Sequence, residues 1–371
     1  MLLDSQSGYQ FSSAPRGYRL AGMAASAYSL VIIYASLQPF TDWRMLSAPF
    51  GSFLFDAWPR WITAEDIIFN FIAYVPLGFL LTLSLCARWS TRTAVMLSVI
   101  ACTALSFVLE AAQQYLPARF ASHVDLLVNS GGAILGTLIA PLFSPQHRLG
   151  HEVVQMRSRG IIEGPRGDAA LVLAGLWLIT QLYASPVALG NGDLREGMGL
   201  TALFGYTPGS YLLMEAGVVM LNVVALGLLL ASAAREIGWG YWRALMLIFA
   251  GALALKAAAV LLILRAPNPW NWLTPGLGAG LAAALVLLLL LTRLPPRGRA
   301  AAALLALLAA VVLINIIPEN PYRPAPSYLL SGRISHFLSF SSVLHALSDI
   351  WPFLAMSFLL FSLPRRNSAN H

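Results

Sequence analysis

Apolar runs of eighteen to twenty-four residues recur along this chain, over 18–37, 66–86, 93–115, 124–143, 168–188, 210–233, 242–264, 273–292, 300–317 and 341–363. Short polar or Pro/Gly-rich breaks part them. Each run is close to the roughly 20 residues a helix needs to cross a bilayer core, and a lipid-spanning backbone satisfies its own hydrogen bonds only as a helix or a closed barrel. The pattern predicts an all-α, polytopic transmembrane helical bundle of about ten spans. It divides into a four-span membrane domain (18–143), a basic linker (144–167) and a six-span membrane domain (168–363). No stretch is long and polar enough for a soluble catalytic domain, so the chemistry is expected within the membrane or at its surface.

Composition agrees: of 371 residues, 58% are hydrophobic and 11% charged, and the mean hydropathy is +0.71, outside the range of ordinary soluble domains. A formal charge of +7 raises nucleic acid as a partner. The basic residues, however, lie scattered between spans rather than in one block, so no nucleic-acid binding is expected. Topology accounts for them better. With the N-terminus cytoplasmic, fifteen arginines fall on inner segments, among them Arg16, Arg19, Arg157, Arg299 and Arg365, and seven on outer ones, with Lys256 left inside a span. The positive-inside rule then places both termini and the 144–167 linker in the cytoplasm. The loop from Gln38 to Ala64, with Trp43, Trp58 and Trp61 among Phe50, Phe53 and Phe55, suits a segment lying in the outer interface. Arg16 and Arg19 ahead of the first run resemble a retained signal anchor. Two cysteines, Cys86 and Cys102, imply packing rather than a disulfide framework.

Polar residues inside apolar helices need a reason, since ionisable groups there are costly unless paired, hydrated or functional. At 100° per residue three stripes emerge: Asp66, Asn70 and Tyr74; Ser106, Glu110 and Gln113; and Asp125, Asn129, Gly132 and Gly136. Alternating topology carries Asp66, Glu110, Arg119 and Asp125 to the outer side, where they can meet in one pocket with His123 nearby. A structural alternative stands beside this. Thr63-x-x-Asp66 and Ser122-x-x-Asp125 match helix-start capping patterns, Gly132-x-x-x-Gly136 permits close helix packing, and Asn70 and Asn129 can cross-link helices. Glu110 lies beyond the caps of its own span, with Arg119 as its nearest basic neighbour in sequence.

The run Asp66…Asn70…Tyr74-Val-Pro76-Leu-Gly78, then Glu110-x-x-Gln113-x-x-x-Pro117-x-Arg119…Asp125-x-x-x-Asn129-x-x-Gly132-x-x-x-Gly136, resembles the VanZ-like family, named for a protein associated with teicoplanin resistance. The resemblance covers about residues 25–143, starting near Tyr34-Ala-Ser-Leu-Gln-Pro39-Phe; the longer chain is similar to long proteobacterial members. It implies a multi-pass protein of the bacterial inner membrane, linked to the cell envelope or to glycopeptide tolerance.

In the rear half Glu215 and Lys256 fall within spans, and a buried ion pair between them is the expected arrangement. With His345 and Asp349 on the last span they form a secondary polar set that a proton or ion pathway would need. His147-x-x-x-His151-Glu152 has metal-compatible spacing but no third ligand, so no metal and no cofactor is expected. Three functions compete. The first is recognition or modification of a membrane lipid or lipid-linked envelope precursor by the outer pocket, with Arg119 meeting phosphate or carboxylate. The second is an intramembrane enzyme on a lipid head group, with Glu110 as base and Asp125 or His123 orienting it. The third is a transporter.

Overall fold

The computed structural model describes residues 17–38, 40–45, 49–58, 63–183, 185, 187–199, 203–263, 270–321 and 335–362. Among them the regular structure is helical, with one isolated antiparallel bridge between Ile161 and Ala234. The front half comprises α1 (Gly17–Leu37), α2 (Ala64–Leu85), α3 (Thr91–Gln113) and α4 (His123–Ile139). Next come α5 (Arg148–Gly160), α6 (Pro165–Thr180), the single turn α7 (Arg195–Met198) and α8 (Pro208–Ala233). The chain continues through α9 (Trp239–Ala258), α10 (Pro275–Leu291), α11 (Pro296–Ile316) and α12 (Ser335–Ser362).

Local chemistry sets these boundaries. Thr63 and Asp66 form a reciprocal capping box at the start of α2, and the side chains of Ser90, Ser122, Thr207 and Thr274 accept backbone N–H groups in the first turns of α3, α4, α8 and α10. Prolines open α6, α8, α10 and α11, where a missing N–H costs nothing.

Among the described residues, eight helices are long and apolar enough to cross a membrane, and the chain is a multi-pass membrane protein. Of the ten expected spans, those at 168–188 and 273–292 form shorter helices. The 16 residues of α6 and 17 of α10 reach about 24–26 Å at 1.5 Å per residue, short of a hydrocarbon core of roughly 30 Å. The backbone of α6 tightens into i→i−3 bonds from Gln181, Leu182 and Tyr183 as it ends, and Thr180 and Gln181 both donate side-chain hydrogen bonds to Trp177 O. The 144–167 linker is also more ordered than a connection. Over 148–160 it forms α5, with Leu149, Val153 and Met156 exposed along one face and Arg148, Arg157 and Arg159 among its polar residues.

Two clusters of buried side chains hold the molecule. The front one gathers Ile32, Tyr74, Leu77, Cys102, Leu109 and Ala133. The rear one is built around α8, the most enclosed span, and includes Trp177 and Trp351, the latter donating its indole N–H to Leu173 O at 2.8 Å. Helix α1 packs on α2 and also on α6 and α12, so it faces both clusters. Helix ends gather in two sets. Arg19 with Asp168, Ile162 with Ala233 and Arg299 with Ala231 meet at one end; Glu110 with Ser122, Arg195 with Ile317 and Thr274 with Glu215 meet at the other. This is the up-and-down alternation the sequence predicts.

Candidate functional site

The polar stripes of α2, α3 and α4 meet because α2 and α4 touch backbone to backbone. A Cβ at Gly132 would lie 2.1 Å from Phe71 O, one at Gly136 2.0 Å from Val75 O, and one at Gly78 2.3 Å from Ala133 O. Only glycine allows this approach. The contact sets Asn70 beside Asp125, with Asn70 Nδ2 donating to Asp125 Oδ1 at 3.0 Å. Helix α3 lies against α4, where Asn129 Nδ2 donates to Ser106 Oγ at 3.0 Å and Thr103 Oγ1 to Ser130 Oγ at 3.2 Å.

Glu110 is 4% exposed, and its Oε2 accepts the backbone N–H of Ser122 at 2.9 Å. Ser122 is the N-cap of α4, so a buried carboxylate stands at the positive end of that helix dipole. Below it, Asn129 is 5% exposed and its Oδ1 is buried without a hydrogen-bond partner. His123 opens α4 with Trp58 edge-on to its ring at 5.4 Å, and its Nδ1 is likewise buried and unpartnered.

Arg119 serves α1. Its Nε donates to Gln38 O at 2.9 Å and an Nη to Ala35 O at 2.7 Å, while Gln113 Nε2 donates to Ser36 O at 3.0 Å. These are carbonyls at the C-terminal end of α1, which the helix itself leaves unsatisfied and where a cation is favoured. Burial lowers the Arg119 pKa from its usual value, and the carboxylate of Glu110 opposes that fall. Gln114 anchors the loop between α1 and α2, accepting from Gly51 N at 3.0 Å and donating to Ser52 Oγ at 2.8 Å.

The structure therefore brings Asn70 and Asp125 together, Asn129 with Ser106, and Glu110 with the start of α4. Asp66 engages the α2 capping box, its Oδ2 accepting from Thr63 N at 3.2 Å, and Tyr74 lies in the front core. Carboxylates, amides and an imidazole in a buried to half-buried cluster suit recognition by hydrogen bonding. Among the described residues, no group of three His, Cys, Asp or Glu side chains is placed to hold a metal ion.

The rear set departs from the expected pairing. Glu215, 5% exposed, accepts from Thr274 Oγ1 at 2.7 Å. Lys256, 3% exposed, donates to Tyr183 O at 2.6 Å and Ser185 Oγ at 3.2 Å. The expected Glu215–Lys256 ion pair is thus replaced by separate partners: the hydroxyl of Thr274, the N-cap of α10, reaches Glu215 first, and a carbonyl beyond the end of α6 takes Lys256. His345 stacks on Tyr183 with ring centroids 4.9 Å apart and pairs with Asp349 at 3.4 Å, which places Asp349 on the Lys256 side of the molecule rather than with Glu215.

Sequence reasoning missed Asp168. It is fully buried at the start of α6, accepting from Arg19 Nε of α1 at 2.6 Å and from Arg157 of α5. One carboxylate so ties three helices. An acid in the first turn of an apolar helix, with arginines on two other segments that the sequence assigns to the same side, was the available signal. Also unforeseen is the stretch 187–192, buried yet non-helical, in which Leu189 adopts φ +61 and Asn191 donates to Thr180 Oγ1 and Ser348 Oγ.

Residues 7–144 match the family model VanZ/LLP1. No curated protein and no solved structure matches the chain. The matched segment contains α1 to α4 and every residue of the polar cluster described above, so the front of this multi-pass membrane protein is VanZ-like.

Proposed function

We propose that the VanZ-like segment recognises a lipid-linked component of the bacterial cell envelope in the inner membrane, through the cluster formed by Glu110, Asn129, Asp125, Asn70 and His123. One observation carries this reading: Asn129 Oδ1 is buried and unpartnered in a cluster where Asn70, Asp125 and Glu110 are bonded across helices. Buried acceptors without partners are uncommon in folded proteins, and each calls for a ligand, a water or a strain argument. A hydroxyl or amide of a bound head group supplies the missing donor, while the cationic Arg119, fixed on α1, contributes a positive field to an anionic ligand. Altered tolerance to glycopeptides such as teicoplanin follows if the captured molecule is an envelope precursor.

The test pairs Glu110→Gln and Asn129→Leu with measurements of protein abundance, co-purified lipid by mass spectrometry and glycopeptide tolerance. The expected result is near-normal abundance with loss of the lipid and of tolerance. Stable variants that keep both would overturn the reading.

A proton- or ion-coupled transporter is the second reading, favoured by the buried non-helical stretch 187–192. Irregular backbone inside a membrane protein is tolerated only where protein buries it or water reaches it, and transporters use it to line ion sites. Uptake that survives Lys256→Met and Asn191→Leu would exclude it.

A further inference from the structure

At the end of the molecule opposite Glu110, the first half of α1, the last turns of α2, and helices α5 and α6 enclose a crevice of about 610 Å³. This is within the range of roughly 300–1,000 Å³ typical of small-ligand sites. Ala24, Leu80, Leu83, Val172 and Gly175 line it, and hydrocarbon makes up most of its wall. Tyr28 also lines it, but its hydroxyl is turned away, donating to Ala73 O at 3.0 Å.

The polar element at its edge is positive. Arg157 lines the crevice and shares the single carboxylate of Asp168 with Arg19, so two guanidinium groups divide one negative charge. Arg166, two residues before Asp168, is exposed. On α5 the exposed apolar residues Leu149, Val153 and Met156 continue outward from the crevice, whose wall includes Val153. A helix with an apolar stripe and basic flanks of this kind lies in a bilayer interface and is drawn to anionic lipid. Two of its walls, α1 and α2, are halves of bilayer-crossing helices, so hydrocarbon is the medium that reaches it.

We propose that this crevice holds an acyl chain of an anionic glycerophospholipid, with the head-group phosphate against the Arg19–Arg157 rim. The lipid fills the space between the VanZ-like segment and the rear helices. The site is separate from the Glu110 cluster, at the other end of the same helices.

Gly175 offers a clean way to block it. A Cβ there meets no atom within 4 Å, so an indole enters the crevice without displacing backbone. Gly240 is equally open and lies outside the crevice, which makes Gly240→Trp the matched control. The full chain, extracted in mild detergent, is examined by native mass spectrometry, with thermal melting alongside. Wild type and Gly240→Trp are expected to retain an anionic phospholipid, and Gly175→Trp to lose at least tenfold of that occupancy at an unchanged melting temperature. If Gly175→Trp melts lower, Ala24→Leu, a smaller plug in the same wall, decides. Delipidated protein reloaded from phosphatidylglycerol vesicles is expected to recover the bound lipid, and from phosphatidylcholine vesicles to recover little. Equal recovery from both, or full retention in the plugged variant, overturns the proposal. Glu110→Gln is expected to leave this lipid in place, so failure here and failure of the outer-cluster reading give different results.

Discussion

Asn70 Nδ2 and Asp125 Oδ1 lie 3.0 Å apart, a hydrogen bond between two spans whose polar residues are spaced four apart in the same way, Asp66–Asn70 on α2 and Asp125–Asn129 on α4. The repeated pattern is used differently in its two copies. The aspartate of α2 caps its own helix, and that of α4 receives the neighbouring helix's amide.

Asn70→Ala and Asp125→Ala are expected to couple in a double-mutant cycle by about 0.6 kcal/mol, the average for polar contacts between membrane helices. Unfolding of the purified variants in mixed micelles measures it. Strict additivity would mean the bond contributes nothing to stability.

Two glycines of α4, Gly131 and Gly136, separate packing from propensity. Gly136→Ala sets a Cβ 2.0 Å from Val75 O, whereas Gly131→Ala meets only the Phe71 ring at 3.4 Å. Gly136→Ala is expected to cost about 3 kcal/mol or more and most of the cellular abundance, by overpacking a backbone contact, with Gly131→Ala close to wild type. Immunoblotting of membranes against a common standard reads the contrast.

Asp168→Asn leaves the guanidinium charges of Arg19 and Arg157 without their shared counter-ion. Removing one member of such a buried network costs about 3–5 kcal/mol, so a marked fall in melting temperature is expected. Arg148→Ala breaks only the i, i+4 pair with Glu152, where Arg148 is 93% exposed, and is expected to stay within about 0.5 kcal/mol of wild type.

Arg119→Ala removes the cation that satisfies the end of α1, so its first effect is expected on stability, about 1–3 kcal/mol. Faster hydrogen exchange of the last turn of α1, at Ala35 to Leu37, is the signature. Arg119→Lys, retaining charge but losing the fork, is expected to restore part of it.

Sidedness is tested with single cysteines after Cys86 and Cys102 are replaced by alanine. An impermeant thiol reagent applied to intact cells is expected to label Asp56→Cys and not Ser158→Cys, as the arginine asymmetry requires. The reverse pattern would invert the whole topology.

The spans were legible because length and apolarity are local properties. Their exact reach was not: hydropathy carries the α6 run through to 188, yet its backbone tightens into i→i−3 turns at Gln181 to Tyr183 and the helix ends early. Charge partners were the least legible part. Glu110 and Arg119 are nearest opposite charges in sequence and remain within electrostatic reach, and each is also engaged by a helix end, the dipole of α4 for Glu110 and the carbonyls of α1 for Arg119. Helix-end groups likewise reach Glu215 and Lys256, through the hydroxyl of Thr274 and the carbonyl of Tyr183. Capping patterns at Thr63 and Ser122 were visible, and only three dimensions could tell that Asp66 closes its box while Asp125 turns to α2.

The seam between family-matched and unmatched chain falls at residue 144, yet the mechanical seam lies elsewhere. Arg19, inside the matched stretch, is clasped by Asp168 outside it, and α1 rests one flank on α6 and α12. Cutting the gene at the family boundary would strip a flank of α1 to bare lipid and orphan its arginine. Transplanting the VanZ-like portion by itself would therefore require a replacement surface for α1, so heredity and load-sharing divide this chain at different places.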